Sequence, residues 1–261
     1  MFPPRRLLFV SLLAFSSIAG RGQAPDSDPQ AVSVLQQALN VSGAAMNPVR
    51  SFTASGTITY FWAGNPVQGA ARIRARGHDQ FRLDADLPEG TRSVAINRQG
   101  GRRKGADGKL DEIPAHNTMS AGTVLTLPYA SIAAVLEDPA ATLSYLGLAD
   151  LAGRPAHRVR VTKYFPSGSD PEGILRKLSR MDYFVDVQTG LVSKTEDVTH
   201  PVENLAEEYS REVELDGYTA INGVAVPTVV REKVAGQTTW EFRLSAIAFN
   251  GNLSDADFSL Q

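Results

Sequence analysis

The sequence predicts a mainly β protein with a few helices (α+β), in which one large antiparallel sheet dominates. Apolar and polar residues alternate with a period of two over most of the chain, which is typical of strands with one buried face. Glycine, proline and asparagine mark turns between these stretches at hairpin spacing. Roughly a dozen strands joined in this way favour an antiparallel sheet over βαβ units.

The N-terminal residues 1–19 are predicted to be a cleaved export signal. Arg5 and Arg6 form the positive region, residues 7–18 are apolar or small, and Ala19 is a suitable cleavage position. This run is shorter than the ~20 residues of a membrane-spanning helix, so no transmembrane segment is expected after cleavage. The arginine pair leaves the twin-arginine route open beside the ordinary secretory one. We therefore expect a periplasmic protein with a flexible tether at residues 20–28 and a single domain at residues 29–261.

Composition excludes several classes of function. The chain has 261 residues and no cysteine, which rules out disulfides, thiolate metal sites and a lipidated N-terminal cysteine. Its 26 basic and 28 acidic residues give a formal net charge of -2, and this near balance argues against nucleic-acid binding. The basic cluster Arg102-Arg103-Lys104 is predicted to be a solvated hairpin tip.

The predicted elements follow in order along the chain. Asp28 is placed to cap a first helix that has Pro29 in its first turn and ends at Gly43. Residues 114–138 carry a helical pattern and predict one or two helices. Strands are predicted at residues 52–62, 67–75, 81–87, 91–98, 141–148, 156–165, 181–187, 191–199, 206–218, 224–234 and 238–249.

Three further local signals bear on the second half of the chain. Asn222-Gly223 is a strong hairpin signal because both residues tolerate positive φ. Pro227 lacks a backbone N–H group, so its strand is predicted to lie at a sheet edge or to contain a bulge there. Residues 165–180 are rich in proline and glycine and are predicted to form an inserted loop.

Residue types that serve catalysis are present, but they do not form catalytic motifs. Ser167 and Ser169 lie in the Pro- and Gly-rich loop, without the strand-to-helix context of a nucleophile elbow. The histidines are isolated along the chain and show no metal-ligand spacing: His78, His116, His157 and His200. The sequence therefore predicts no catalytic residues, no metal site and no cofactor, and a protein that is not an enzyme.

Several segments, taken in order, resemble a known family. They are "RSFTASGTITYF", "GAARIRARGHDQFRLDAD", "DVQTGLVSK", "GYTAINGVAVPTVVRE" and "WEFRLSAIAFNGNLSDADF". With the export signal, the short first helix and the central helices, they resemble the periplasmic lipoprotein-carrier superfamily of LolA-like proteins, which sort outer-membrane lipoproteins. The resemblance covers most of the mature chain. It implies an incompletely closed β-barrel, or half-barrel, covered by helices, whose concave apolar face holds lipoprotein acyl chains.

A cavity beneath such a sheet could hold an apolar ligand without any catalytic residue. Each methylene buried there would contribute about 0.8 kcal/mol. Strand alternation and the central helical pattern together predict the ligand-binding side chains. These are Ile58, Tyr60, Trp62, Phe81, Leu83, Leu125, Leu127, Ile132, Trp240 and Phe242.

Three functions remain open at this point. The first is carriage of lipid or lipoprotein acyl chains, and the second is a regulatory or scaffold module that binds an envelope protein through the same sheet. Peripheral contact with membrane-bound partners is compatible with both. Alternation does not separate them, because a cavity and a filled core have the same pattern. The third is an envelope hydrolase in which distant residues such as His116, His157 or Ser169 converge.

Overall fold

A computed structural model describes residues 26–62, 65–98, 100–119, 127–166 and 168–261 and confirms the mainly β class. The helices are α1 (Pro29–Val41), α2 (Tyr129–Glu137) and α3 (Ile174–Leu178), with short 3-10 turns at Ala115–Asn117 and Asp255–Phe258. The strands are β1 (Ser51–Trp62), β2 (Asn65–Arg76), β3 (Gln80–Leu87), β4 (Gly90–Asn97), β5 (Gly100–Lys104), β6 (Leu110–Ile113), β7 (Ala141–Leu151), β8 (Arg154–Lys163), β9 (Met181–Asp186), β10 (Val192–Thr199), β11 (Tyr209–Asp216), β12 (Thr219–Ile221), β13 (Val224–Val226), β14 (Val229–Val234) and β15 (Gln237–Phe249).

Thirteen of these strands form one antiparallel sheet, in the order β6-β5-β4-β3-β2-β1-β15-β14-β11-β10-β9-β8-β7. The sheet consists of two runs of neighbouring strands that meet where β1 pairs with β15. The edge strands β6 and β7 are not paired with each other, so the sheet is an incompletely closed barrel. This confirms the predicted half-barrel architecture.

Helix α1 forms where the sequence predicts it. The side chain of Asp28 accepts a hydrogen bond from the Gln30 amide at 2.8 Å, and Pro29 occupies the first turn. The buried face of α1 packs against β7, β8, β9 and α2. Two residues of the predicted tether also contact the sheet edge, because Asp28 N–H donates to the Leu143 carbonyl and Ser27 Oγ accepts from the Leu143 amide.

The central region contains one α-helix and one 3-10 turn, in agreement with the prediction of one or two helices. Helix α2 buries Tyr129, Ile132 and Val135. Residues 120–126, which include the predicted site residue Leu125, lie outside the described part of the chain. In this region the structure therefore shows where Leu127 and Ile132 lie but not where Leu125 lies.

Four local predictions were wrong. The predicted strand 224–234 divides at Pro227 into β13 and β14, because proline cannot donate a ladder hydrogen bond. β14 lies inside the sheet between β15 and β11, so Pro227 ends a strand and marks neither an edge nor a bulge. The predicted loop 165–180 contains the short helix α3. The basic cluster lies within β5, paired with β4 and β6, and the tip of that hairpin is residues 105–109.

The Asn222-Gly223 turn is confirmed, although it joins different strands from those predicted. Asn222 has φ 51° and Gly223 has φ 78°, and they connect β12 to β13 in a separate two-stranded sheet. The predicted signal and most of the tether, residues 1–25, lie outside the described residues. Among the described residues, no helix combines the length and the hydropathy needed to cross a bilayer.

Candidate functional site

The concave face of the sheet is the candidate site, and strand register brings the predicted residues together there. Ile58 pairs with Phe242, and Tyr60 pairs with Trp240, across the junction of β1 and β15. Leu83 reaches the same face from β3, two strands away from β1. The period-two pattern therefore predicted correctly which side of each strand faces inward.

Most of the predicted residues are fully buried. Ile58 and Ile132 are 0% exposed, and the remaining buried members are Phe81, Leu83, Leu127, Trp240 and Phe242. Tyr60 is partly buried against the same core, and burial raises its pKa to about 12. Trp62 lies in β1, but its side chain is outside the described part of the structure. The structure thus places the described members in one core cluster and leaves their ligand-binding role a prediction.

The described side chains pack closely where residue Leu127 meets the concave face. A cavity beside Leu127, lined also by Phe52, Ala75 and Tyr129, measures about 10 Å³. A space of about 10–15 Å³ holds at most one water molecule. In this conformation the concave face is occupied here by the protein's own side chains, so an acyl chain can enter only if part of the helical cover moves.

A polar cluster on the concave face was missed by the sequence analysis. Asp197 is 3% exposed and lies directly opposite Arg211 across β10 and β11, with Arg211 Nε 2.8 Å from Asp197 Oδ1. Burial raises the pKa of Glu232 on β14, although the nearby Arg211 charge opposes this shift. The signal that sequence reasoning overlooked is a charged residue at an inward position of an alternating strand, which occurs at both Arg211 and Glu232.

Thr239 joins this cluster because of a bulge in β15. The register between β14 and β15 shifts after Glu232, which leaves Thr239 as the extra residue. Its hydroxyl donates to Glu232 Oε1 at 2.5 Å. The carboxyl of Glu232 is therefore hydrogen-bonded beside the aromatic ring of Trp240, with which it is paired in register.

Few polar contacts hold α2 over the sheet. Tyr183 of β9 donates from its hydroxyl to Ser131 Oγ at 3.0 Å, and Tyr129 donates to the Ala225 carbonyl at 2.7 Å. Burial raises the pKa of both tyrosines, so their hydroxyl groups are neutral donors at physiological pH. The buried side chains of Tyr129, Ile132 and Val135 add apolar packing, which an apolar ligand could replace.

A second cavity lies at the rim of the sheet. It measures about 580 Å³ and contains none of the predicted site residues. Its lining includes Asn97, Gly101, His116, Phe258 and Leu260. The C-terminal residues that close it follow the 3-10 turn Asp255–Phe258, whose buried Phe258 packs against the sheet.

The residues considered for a hydrolase have separate local partners. His157 Nδ1 lies 2.8 Å from the Tyr145 hydroxyl on the neighbouring strand. Ser169 donates to the Pro166 carbonyl within its own turn. His116 instead contacts His200. These contacts provide no arrangement in which one of the histidines activates Ser169.

Several solved structures have an architecture similar to that of this chain. Similar solved structures include an outer membrane lipoprotein-sorting protein domain from Vibrio parahaemolyticus, a LolA superfamily protein from Nitrosomonas europaea and a DUF1329 family protein from Desulfovibrio piger. Their TM-scores are 0.53, 0.53 and 0.54, and they cover 88%, 88% and 90% of this chain and 96%, 97% and 98% of their own. The chain shares the fold of these structures, one of which is a LolA superfamily protein. This confirms the predicted resemblance for the fold.

Sequence similarity to these three proteins is low. The identities are 10%, 12% and 12%, so the likeness concerns architecture and carries no residue roles. No protein-family profile matches the sequence, and no curated protein is similar to it in sequence. The comparisons therefore assign no role to any residue of this site.

Proposed function

We propose that the protein binds or carries a hydrophobic ligand, a lipid or a lipoprotein acyl chain, between the concave face of its sheet and the covering helices. The observation that carries this proposal is an apolar concave face covered by the two short helices α1 and α2. The likeness to an outer membrane lipoprotein-sorting domain supports the same class of ligand. In this proposal the chain works in the periplasm as a single domain, residues 29–261, after removal of residues 1–19.

The free energies of apolar burial favour replacement of α2 by an acyl chain. Helix α2 buries three large side chains, those of Tyr129, Ile132 and Val135. At about 1.5–3 kcal/mol each, they contribute roughly 5–9 kcal/mol of apolar burial. An acyl chain that buries a dozen methylenes at about 0.8 kcal/mol each gains about 10 kcal/mol. A bound chain can therefore compensate for the displaced helix without any catalytic group.

The proposed ligand contacts are the ten residues predicted from strand alternation and the central helical pattern. Ile58, Phe81 and Phe242 are the most deeply buried of the proposed residues on the sheet, and Tyr60 and Trp240 lie beside the polar cluster. Trp62 and Leu125 stay in the proposal on the sequence pattern alone.

Binding of acyl ligands by the mature chain tests the proposal directly. We expect native mass spectrometry of gently purified protein to show retained lipid. We also expect added palmitate or a triacylated lipopeptide to raise the melting temperature of delipidated protein, because a ligand that binds the native state stabilises it. A protein that retains no lipid and gains no thermal stability from either probe would contradict the proposal.

Tyr183→Phe tests whether the cover must open. The substitution removes the bond to Ser131, which should weaken the docked state of α2 by about 1 kcal/mol. If opening precedes binding, the melting temperature of the apo protein falls while the apparent palmitate affinity rises, up to about fivefold. The matched control is Tyr145→Phe, which removes a tyrosine bond to His157 away from α2. Equal effects of both variants on palmitate affinity would argue against entry beneath α2.

A further inference from the structure

We infer that His116 and His200 form a binding site for a transition-metal ion that accepts imidazole ligands, such as Zn²⁺ or Cu²⁺. The two rings come from distant parts of the chain and stand edge to face, with centroids 5.8 Å apart and planes at 85°. This site is separate from the proposed acyl-chain site and does not depend on it.

The first observation is an unsatisfied pair of nitrogen atoms. Within the described residues, the Nε2 atoms of His116 and His200 are both buried and have no hydrogen-bond partner. His200 is only 5% exposed. A buried polar atom without a partner costs about 1–3 kcal/mol. Two such atoms on neighbouring rings therefore indicate that something else satisfies them.

The second observation is the protonation of His200. Its Nδ1 lies 3.0 Å from the Glu207 carbonyl oxygen. A carbonyl can only accept, so Nδ1 carries the proton and the lone pair of the neutral ring is on Nε2. Metal-bound histidines typically have this arrangement, in which one nitrogen donates to a backbone carbonyl and the other binds the ion.

The third observation is that the two rings are fixed in position. Asn117, the neighbour of His116, accepts at Oδ1 from the His200 amide at 2.8 Å and from the Thr199 hydroxyl at 3.1 Å. Its Nδ2 donates to the His200 carbonyl at 2.9 Å. These three bonds tie the 3-10 turn to the end of β10, so little rearrangement is needed to bring the rings to one ion.

The ring separation allows a shared ion when the Nε2 atoms of both rings face it. A direct N–H···N bond of about 2.9 Å would place the ring centres roughly 5.2 Å apart. Because an imidazole nitrogen lies about 2.0–2.1 Å from zinc, two rings on one ion have centres roughly 5–6.5 Å apart. The observed 5.8 Å exceeds the first value and lies within the second range.

The number of protein ligands predicts an exchangeable ion. The described residues contain no cluster of three or more histidine, cysteine, aspartate or glutamate side chains suited to a metal. His116 and His200 would therefore supply two ligands, and water would complete the coordination. Binding should be weaker than at a structural zinc site with four protein ligands, and a chelator should remove the ion without unfolding the chain.

Calorimetric titration of the full mature chain with ZnSO₄, and separately with CuSO₄, tests the inference. We expect one saturable site in the wild-type protein and about tenfold or greater weakening in His116→Gln and in His200→Gln. Glutamine retains a polar side chain, and circular dichroism of the metal-free variants will show that each folds. His157→Gln, which changes a histidine bonded to Tyr145 elsewhere, should bind like the wild type.

The metal affinities of the wild type, the two site variants and the control decide between the possible outcomes. Loss of affinity in both site variants but not in the control supports the site, and nitrogen couplings from two imidazoles in the spectrum of bound Cu²⁺ support it further. Absence of saturable binding to the wild type overturns it, as does unchanged affinity in His116→Gln. If His200→Gln does not fold, His116→Gln decides the question, because His116 is only partly buried.

Discussion

At the scale of single residues, Asp182 is the most deeply buried partner in an ion-pair network on the outer face of the sheet. Its side chain is 1% exposed and accepts from Arg160 Nε at 2.7 Å and Arg158 Nε at 2.8 Å. Burial by itself would raise the pKa of Asp182, but the hydrogen bonds from Arg160 and Arg158 outweigh it and hold the pKa below the usual 3.8. The carboxylate therefore stabilises the folded state in its charged form.

Replacing this carboxylate should destabilise the fold in a pH-dependent way. We expect Asp182→Asn to lower the free energy of unfolding at about pH 7 by about 2–3 kcal/mol, because it removes the buried carboxylate that pairs with both Arg158 and Arg160. Since the folded pKa is depressed, the wild-type advantage is present above 3.8 and is lost as pH falls through the folded pKa. Urea unfolding at about pH 7 and about pH 2.5 should therefore show a smaller difference in acid.

The control for this measurement is Asp86→Asn. Asp86 is exposed and accepts from the Thr91 hydroxyl, so its replacement should change stability by no more than about 0.5 kcal/mol. An Asp182→Asn effect as small as that of Asp86→Asn, or one that grows in acid, would contradict the assignment of the carboxylate.

The sequence predicts which side chains point toward the core. It does not predict which residues from distant parts of the chain are in contact. Ile58, Phe81 and Phe242 were assigned to the correct face because side-chain direction follows directly from the period of a strand. The contact between His116 and His200 depends on how residues 114–117 cross to the end of β10, which no local pattern encodes. Alternation also shows which face of the sheet a residue lies on, but not how much space separates that face from the covering helices. The sequence therefore could not distinguish a filled concavity from a hollow one.

At the scale of elements, Gly43 shows how the end of α1 and the β12–β13 hairpin fit together. Gly43 follows the helix with φ +76°, and a Cβ atom there would lie 1.9 Å from the carbonyl oxygen of Gly223. This close approach also brings Ala225 of β13 beside the end of α1, where its amide donates to the Ser42 carbonyl at 2.8 Å. The close approach of these two backbones therefore requires glycine at this position.

A matched pair of glycine substitutions tests this packing. Gly43→Ala should lower the free energy of unfolding by about 2–4 kcal/mol, through backbone strain plus the clash with the hairpin. Gly236→Ala has the same φ of +76° but no atom within 4 Å of the added Cβ, so it should cost only about 1 kcal/mol. Thermal denaturation of both variants compares them, and equal losses would show that the hairpin moves away without cost.

Long elements were predictable and short ones were not. The strands β1 to β4 and helix α1 were placed within a few residues, because each repeats its pattern over eight or more positions. Helix α3 and strands β12 and β13 have only five, three and three residues, and tertiary contacts stabilise them rather than periodicity. Pro227 was recognised as a strand breaker, but sequence alone did not show that the chain would leave one sheet for another there.

At the scale of the whole molecule, the pairing of β1 with β15 joins two runs of strands into one sheet. The register extends from Phe52–Phe249 to Tyr60–Trp240, and both runs contribute to one core cluster. We therefore expect a single cooperative transition in urea. Both tryptophans lie in strands at this junction, at Trp62 in β1 and Trp240 in β15. Tryptophan fluorescence should thus coincide with far-ultraviolet circular dichroism, and two separated midpoints would show that the runs unfold independently.

The same pairing has a consequence for how the chain is made. A polypeptide that emerges N-terminus first presents its opening strand long before the strand that will lie beside it has been synthesised. Until β15 has been synthesised, one edge of β1 has unpaired backbone N–H and C=O groups. These groups lie next to exposed apolar side chains, which favours aggregation. The yield of native protein should therefore depend on how soon β15 becomes available after β1. It should also depend on chaperones that bind the unpaired edge of β1.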